Sequence, residues 1–218
     1  AGFQADRFAQ PQPSGTDLGR VADGIAAELN LPRGVRIVAG GHDQEVGALG
    51  CGVLHAGEMM YAAGSVECFV PVLEQAVFSA ELYESNLCTC PYALPGRWAS
   101  LAYSLAGSGL RAYFLRTLAP DLGTNIGRLL DEMPDTPTAI LALPYFTPSG
   151  TPYFDAETPG TVYGWRIGVS RGELLKGLEE GIGMEMKLNL ELLKRNGIAM
   201  NTLIASGGGF RHEAVRQL

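Results

Sequence analysis

Three short segments of this chain combine glycine with a residue that can bind a ligand, and each follows an apolar run that predicts a β-strand. They are residues 40–43 (Gly-Gly-His-Asp), 63–65 (Ala-Gly-Ser) and 206–209 (Ser-Gly-Gly-Gly). A polyphosphate is held by several backbone N–H groups where no Cβ stands in the way, and Ser65 adds a hydroxyl donor. One Gly-Gly pair is more often a tight turn, but three such segments in one chain favour a site for a phosphorylated ligand.

The first segment ends in a lone carboxylate, Asp43, just before a small-residue stretch that predicts a helix. Such a carboxylate can orient a substrate hydroxyl and accept its proton late in phosphoryl transfer, where placement matters more than base strength. It can equally well cap the N-terminus of the helix. His42 either hydrogen-bonds a ligand hydroxyl or is satisfied locally at the strand end. We take Asp43 as the candidate catalytic residue.

Other side chains have a structural interpretation beside the functional one. Glu67 is better explained as a structural or edge-strand carboxylate than as a catalyst. Arg111 and Arg116, on a predicted helix, either face phosphate or lie on a solvated face. A set of aromatic residues either lines a sugar cleft or packs a loop, and we favour loop packing: Tyr145, Phe146, Tyr153, Phe154, Tyr163 and Trp165.

The composition limits the class of protein and its partners. With 46% hydrophobic and 18% charged residues the chain can bury a core, and its net charge of −7 argues against binding to nucleic acid. It has no apolar run long enough to span a membrane and no signal-peptide pattern, so we expect a cytoplasmic protein without a membrane partner. Cys88 and Cys90 have no second pair at metal-binding spacing, and we assign no metal ligand.

Periodicity predicts the elements that must position these segments, and their mixture predicts an α/β fold. A helix is expected to begin at Asp17 and run to Leu29, with Thr16 as its N-cap. Ser170 and Glu173 form a capping-box pattern ahead of the longest helix, 171–195. The other predicted elements are strand 35–39, a short helix within 44–54, a hairpin of 59–63 and 67–72, a second hairpin within 86–105, helix 107–118, a buried strand 139–143, an ordered loop 146–164, strand 202–205 and the start of a helix within 211–218.

Four segments, in this order, resemble motifs of the FGGY family of carbohydrate kinases, the group that contains xylulokinase, glycerol kinase and fuculokinase. Residues 40–50 resemble the family's Gly-Gly-x-Asp segment with its Gly/Ala-rich helix, and residues 60–67 resemble its second phosphate motif. Residues 144–164 resemble its Pro-rich loop. Residues 171–182 and 206–209 resemble its long helix and adenosine motif. The resemblance extends from about residue 15 to the end of the chain.

The resemblance implies an actin-like ATPase fold of the ribonuclease H type, in which two domains close on a cleft that holds a sugar or polyol and MgATP. Asp43 corresponds to the catalytic base, and His42, Asp43 and Gln44 to substrate-binding residues. The implied ATP-binding residues are Gly64, Ser65, Gly107, Arg111, Gly208 and Gly209. Ser65 replaces the usual threonine of the family, Phe210 replaces a small residue, and His212 replaces a serine or asparagine.

The resemblance also implies that the chain is an internal piece of a kinase. Residues 1–42 correspond to the tail of the first domain and residues 43–218 to the second, ATP-binding domain, truncated at its C-terminus. The missing first domain is then a partner, and a homodimer stays open. The leading hypothesis is ATP-dependent phosphorylation of a sugar or polyol hydroxyl. The alternatives are a non-catalytic sugar- or nucleotide-binding module, inactive as this fragment, and an actin- or chaperone-like ATPase that needs no sugar.

Overall fold

The computed structural model describes residues 4–218, which hold nine β-strands and seven α-helices. The strands are β1 (Asp17–Arg20), β2 (Arg36–Val38), β3 (Glu58–Ala63), β4 (Glu67–Leu73), β5 (Cys88–Pro91), β6 (Trp98–Ser104), β7 (Leu141–Leu143), β8 (Thr161–Tyr163) and β9 (Thr202–Ser206). The helices are α1 (Asp23–Glu28), α2 (Asp43–Gly50), α3 (Ala80–Glu84), α4 (Ser108–Leu118), α5 (Ile126–Leu130), α6 (Arg171–Arg195) and α7 (Glu213–Arg216).

The centre of the fold is a five-stranded sheet in the order β5-β6-β4-β3-β9. Its pairs are antiparallel except for β3 and β9, which run parallel, with Ala62 opposite Ser206. Parallel neighbours end at the same edge of a sheet. The glycines that follow β3 and β9 therefore leave the sheet side by side. The predicted hairpins 59–63/67–72 and 86–105 are confirmed as the β3–β4 and β5–β6 pairs.

The two faces of this sheet bury different apolar clusters. On one face, Met59 and Phe69 pack with α4 and α6 in the larger cluster; on the other, Met60 and Cys68 pack with Ala48 of α2. Helix α6 has the predicted capping box between Ser170 and Glu173. The predicted buried stripe of α6 is confirmed, since all five of its residues are buried: Leu174, Leu175, Leu178, Ile182 and Met186.

The prediction of a helix from Asp17 to Leu29 is wrong in its first half. Residues Asp17–Arg20 form β1, which pairs antiparallel with β2, and α1 begins at Asp23 with Ala22 rather than Thr16 at its N-cap. Gly19 has φ of +115°, which is outside the helical region, and Asp17 forms an ion pair with Arg36 on β2 at 2.6 Å. Strand pairing and this glycine override the helical spacing.

The region from 139 to 164 also departs from its prediction. The strand predicted at 139–143 is present as β7, but it is not buried, because Leu141 and Leu143 are 56% and 53% exposed. It pairs with β8, a strand within the stretch predicted to be only a loop. The pattern did not predict α3 and α5, both only five residues long. Among the described residues, no helix is both long and apolar enough to cross a membrane.

Candidate functional site

The turn after β9 packs directly against the end of β3. A Cβ placed on Gly207 would lie 2.4 Å from the carbonyl oxygen of Ala63, and Gly207 has φ of +94°. A Cβ on Gly209 would lie 2.8 Å from the Cβ of Ala63, whereas one on Gly208 would have no atom within 4 Å. Gly207 and Gly209 are thus required by close approach of two backbones. Gly208 presents open backbone surface.

The Gly64–Ser65 turn, which joins β3 to β4, lies against the N-terminus of α4. The backbone N–H of Ser108 donates to the carbonyl of Gly64 at 2.9 Å. A Cβ on Gly107 would lie 2.8 Å from the carbonyl oxygens of both Gly64 and Ser65, so only glycine lets the helix begin this close to the turn. The positive end of an 11-residue helix therefore lies beside this turn, and the helix dipole favours anions there.

A cavity of about 720 Å³ opens between α4, α5 and the residues that follow β9. This volume lies within the roughly 300–1,000 Å³ of ordinary small-molecule sites. Its lining includes the apolar side chains of Leu115, Ile126 and Leu130 and the backbone of Gly208 and Gly209. Flat glycine backbone together with branched apolar side chains suits a planar heterocycle. Ser108, Arg111 and His212 are polar members of the lining.

Arg111 reaches this cavity from inside the protein. Only 4% of the residue is exposed, so it does not lie on a solvated face; Arg116, further along α4, is exposed. The Nε and Nη2 atoms of Arg111 donate to the two carboxylate oxygens of Glu179 at 2.7 and 2.6 Å, and Nη2 lies 3.5 Å from Glu67. Burial acts to lower the pKa of Arg111, but Glu179, together with Glu67 and Tyr61, outweighs burial and raises that pKa, so the guanidinium stays charged.

Glu67 lies in this buried cluster, as its structural interpretation predicted. It is 2% exposed and accepts a short hydrogen bond from the hydroxyl of Tyr61. Burial raises the pKa of Glu67, against opposing contributions from Tyr61 and Arg111. Phe210 makes an edge-on contact with Tyr61, with ring centroids 5.0 Å apart. The Phe210 ring therefore packs against the core and is not part of the cavity lining.

His212 both lines the cavity and begins α7. Its Nδ1 accepts the backbone N–H of Ala214 at 3.3 Å, which places it at the N-cap, and its Nε2 lies 3.1 Å from Asp131. Because Nδ1 acts as acceptor, Nε2 carries the proton that is donated to Asp131. The imidazole is thereby fixed in orientation at the cavity wall.

Asp43 is the first residue of α2, and the N-cap residue is His42. The N–H of Gln44 is shared by Asp43 Oδ1 at 2.8 Å and His42 Nδ1 at 3.3 Å. The side chain of Asp43 is 86% exposed. The imidazole of His42 is therefore hydrogen-bonded locally, to the backbone of Gln44, and Asp43 keeps a carboxylate oxygen facing solvent.

The structure places Asp43 outside the cavity. Helix α2 covers the face of the sheet opposite to the Arg111 cluster. The C-terminal end of α2 does reach a glycine turn, because Sγ of its C-cap residue Cys51 donates to the Ser206 hydroxyl at 3.4 Å. Thus one sheet edge gathers the six predicted ATP-binding residues, whereas His42, Asp43 and Gln44 lie at the exposed start of α2.

Sequence reasoning missed Glu179 and the members of α5 that close the cavity. Glu179 is 68 residues away from Arg111 in the chain, so no local pattern indicates that the two pair. A charged residue at a core-facing position of α6, two turns before Met186, was the available signal.

The mixed sheet with its parallel β3–β9 pair, covered by helices on both faces, has the α/β fold of actin-like proteins. The chain belongs to the FGGY family of carbohydrate kinases, because the model of that family's C-terminal domain matches residues 68–218. The fold is therefore the actin-like α/β fold that the sequence predicted, and the resemblance to the family is confirmed.

Relatives and solved structures agree with this placement. The chain is 27% identical to a xylulose kinase of Staphylococcus epidermidis over 206 residues, covering 92% of this chain and 40% of that protein. It is 26% identical to an autoinducer-2 kinase of an Enterobacter species, covering 96% of this chain and 41% of that protein. A xylulose kinase structure from Rhodospirillum rubrum has a TM-score of 0.78 at 24% identity, covering 94% of this chain and 41% of that one. A Plasmodium falciparum glycerol kinase structure with ADP has a TM-score of 0.75 at 19% identity, covering 94% of this chain and 40% of that one.

Proposed function

We propose that the protein carrying this chain transfers the γ-phosphoryl group of ATP to a hydroxyl of a sugar or polyol. The observation that carries the proposal is the sheet edge at which the turns after β3 and β9 meet the start of α4 beside one cavity. Membership of a carbohydrate kinase family supports it. So do the relatives, which are xylulose kinases and autoinducer-2 kinases.

In this proposal the adenosine of ATP lies across Gly208 and Gly209, against the apolar wall of the cavity. The phosphates extend toward Gly64 and Ser65, where the start of α4 and the Ser65 hydroxyl favour negative charge. Mg²⁺, when bound with ATP, neutralises phosphate charge. Among the described residues no group of three or more His, Cys, Asp or Glu side chains is arranged to hold a metal ion, and we assign no step to one.

Asp43 is the proposed base. It would orient the acceptor hydroxyl and take its proton late in the transfer, with His42 and Gln44 beside the substrate. Its exposed position at the start of α2 suits a residue that meets the substrate only when a second domain closes over it, which also limits transfer to water.

The domain assignment stays part of the proposal: residues 1–42 belong to the tail of a first domain and 43–218 to the second, ATP-binding domain. The chain spans about two-fifths of its curated relatives. Apolar side chains of the 17–38 region are exposed, which supports its packing against a segment outside this chain: Leu18, Ile25, Leu29, Ile37 and Val38.

The test of the proposed base is Asp43→Asn in the full-length kinase. Sugar phosphorylation is expected to fall by about a thousandfold or more, within the span attributed to a positioned base and the orientation it provides, while the Kd for ATP changes less than about twofold. Asp23→Asn is the matched control, since Asp23 is also an exposed first residue of a helix. Near-normal turnover of Asp43→Asn would remove Asp43 from the mechanism. Equal loss in Asp23→Asn would point to a general effect on folding.

A further inference from the structure

The guanidinium of Arg111 is held from two elements at once. Glu179 on α6 binds Nε and Nη2 through both carboxylate oxygens, and Glu67 on β4 lies 3.5 Å from Nη2. These contacts leave Nη1 without a hydrogen bond to any residue in the 4–218 region. A bidentate pair of this kind fixes the plane of the guanidinium as well as its position.

The free nitrogen lies beside Gly209, at the wall of the cavity proposed to hold the nucleotide. A Cβ on Gly209 would lie 3.2 Å from Nη1, so this atom lies against the backbone of the glycine turn, and Arg111 is part of the cavity wall. Arg111 also lies one helical turn after Gly107, whose carbonyl accepts its backbone N–H. The side chain of Arg111 thus starts one helical turn from the Gly64–Ser65 turn and ends with Nη1 beside Gly209.

The cluster is almost fully buried, although a second, smaller cavity of about 290 Å³ touches Tyr61, Glu67, Arg111, Glu179 and Phe210. The side chains of Glu179, Glu67 and Arg111 are 1%, 3% and 5% exposed. Tyr61 donates to Glu67, and Phe210 covers Tyr61. Burying one cation with two carboxylates is costly unless each is well paired, and a hydrophobic core of the same volume would serve stability as well. An arrangement this constrained is better explained by a need to hold the guanidinium in one place.

We propose that Glu179 and Glu67 are positioning residues that act through Arg111 and aim its Nη1 at the phosphate chain of the bound nucleotide. The inference rests on the proposed function for the identity of the ligand, a nucleoside di- or triphosphate. Arg111 makes the contact, and the two carboxylates set its geometry. The recognised group is the phosphate chain, so adenosine alone should be insensitive to the cluster.

The decisive variant is Glu179→Asp, which keeps the charge and shortens the side chain by one methylene, so that it cannot reach the guanidinium in its present place. Arg111→Lys is the complementary change, because lysine keeps the charge but lacks the planar fork. Glu191→Asp, at an exposed position on the same helix, is the matched control. The Kd values of ADP and of adenosine are measured by calorimetry on the full-length protein, together with its melting temperature.

We expect each cluster variant to weaken ADP about tenfold, while adenosine changes less than about twofold and Glu191→Asp changes neither. The double variant should bind ADP no more weakly than the worse single variant, because both act through one contact. ADP affinity within about twofold of the parent in a folded variant would overturn the inference. Equal weakening of adenosine would also overturn it, since that outcome reports collapse of the cavity.

The proposed function and this inference can fail separately. A parent protein that binds ADP but phosphorylates no sugar would contradict the proposed function and still allow the cluster to be tested by binding. A parent that phosphorylates a sugar, with variants that bind ADP normally, would contradict the inference alone. If Glu179→Asp does not fold, Arg111→Lys carries the same comparison.

Discussion

At the scale of single residues, the glycines of the 206–209 segment have separable roles. Gly208→Ala should leave the melting temperature within about 1 °C, because the added methyl would have no protein atom within 4 Å. It should nevertheless weaken ADP binding, since the methyl would lie on the open surface proposed for adenosine. Gly207→Ala should instead destabilise the fold by about 1–3 kcal/mol, because φ is +94° and the Cβ would meet the Ala63 carbonyl at 2.4 Å. Thermal unfolding and ADP titration of both variants distinguish these roles, and similar behaviour of the two would contradict them.

A second residue-scale prediction concerns Glu185, a buried carboxyl that receives a hydrogen bond from Ser104 at 2.5 Å. Its Oε1 and the Oδ1 of Asn189 have no partner among the described residues. Burial raises the pKa of Glu185, so the folded protein binds the proton more tightly than the unfolded chain does. The stability that Glu185 contributes is therefore complete below the unfolded pKa of about 4.3 and is lost as the pH rises through the higher folded value.

Glu185→Gln should consequently be more stable than the parent at neutral pH, and this advantage should disappear in acid. Urea unfolding as a function of pH measures both curves. Glu191→Gln, on the exposed side of the same helix, should have the same free energy of unfolding as the parent at every pH. A Glu185→Gln variant that is less stable than the parent at pH 7 would show that the ionised carboxylate has a partner in the folded state.

At the scale of elements, the junction between α4 and the Gly64–Ser65 turn is the most constrained. Gly107→Ala should cost about 1–3 kcal/mol of stability and weaken ADP binding, because a Cβ there would meet both carbonyls of the turn at 2.8 Å and separate the turn from the helix. Gly109→Ala is the control within the same helix. Its Cβ would have no atom within 4 Å, and alanine should stabilise the helix by up to about 1 kcal/mol. Equal tolerance of both changes, measured by thermal unfolding, would contradict the close approach.

Elements whose signals are local could be predicted from the sequence. The β3–β4 hairpin and α6 follow from alternation, the capping box and the apolar stripe, all of which are short-range patterns. The helix prediction for residues 17–20 failed because these residues pair with another strand. Arg36 of that strand, 19 positions after Asp17, binds the Asp17 carboxylate, and this pairing outweighs the helical spacing. The pairing of Arg111 with Glu179 could not be predicted either. It depends on how α4 and α6 pack, and no local rule specifies that.

At the scale of the whole molecule, the proposed site is divided between two faces of one sheet. The cavity and the Arg111 cluster lie on the side of α6, whereas Asp43 begins the helix on the other face. The family motifs implied Asp43 and the ATP-binding residues, but they did not imply that these lie on different faces of the sheet. For the account to hold, the phosphate chain must extend past the Gly64–Ser65 turn, and the acceptor sugar must be brought to Asp43 by a segment outside this chain.

The central claim is tested most directly by following radiolabel from γ-labelled ATP in the full-length protein, with and without a panel of pentoses and polyols. The account predicts that label appears in a sugar phosphate, at least about a hundredfold faster than inorganic phosphate is released without sugar. Release of phosphate at the same rate with or without sugar would contradict the kinase and favour a sugar-independent ATPase. No transfer of label to any acceptor or to water, despite tight ADP binding, would favour the non-catalytic binding module.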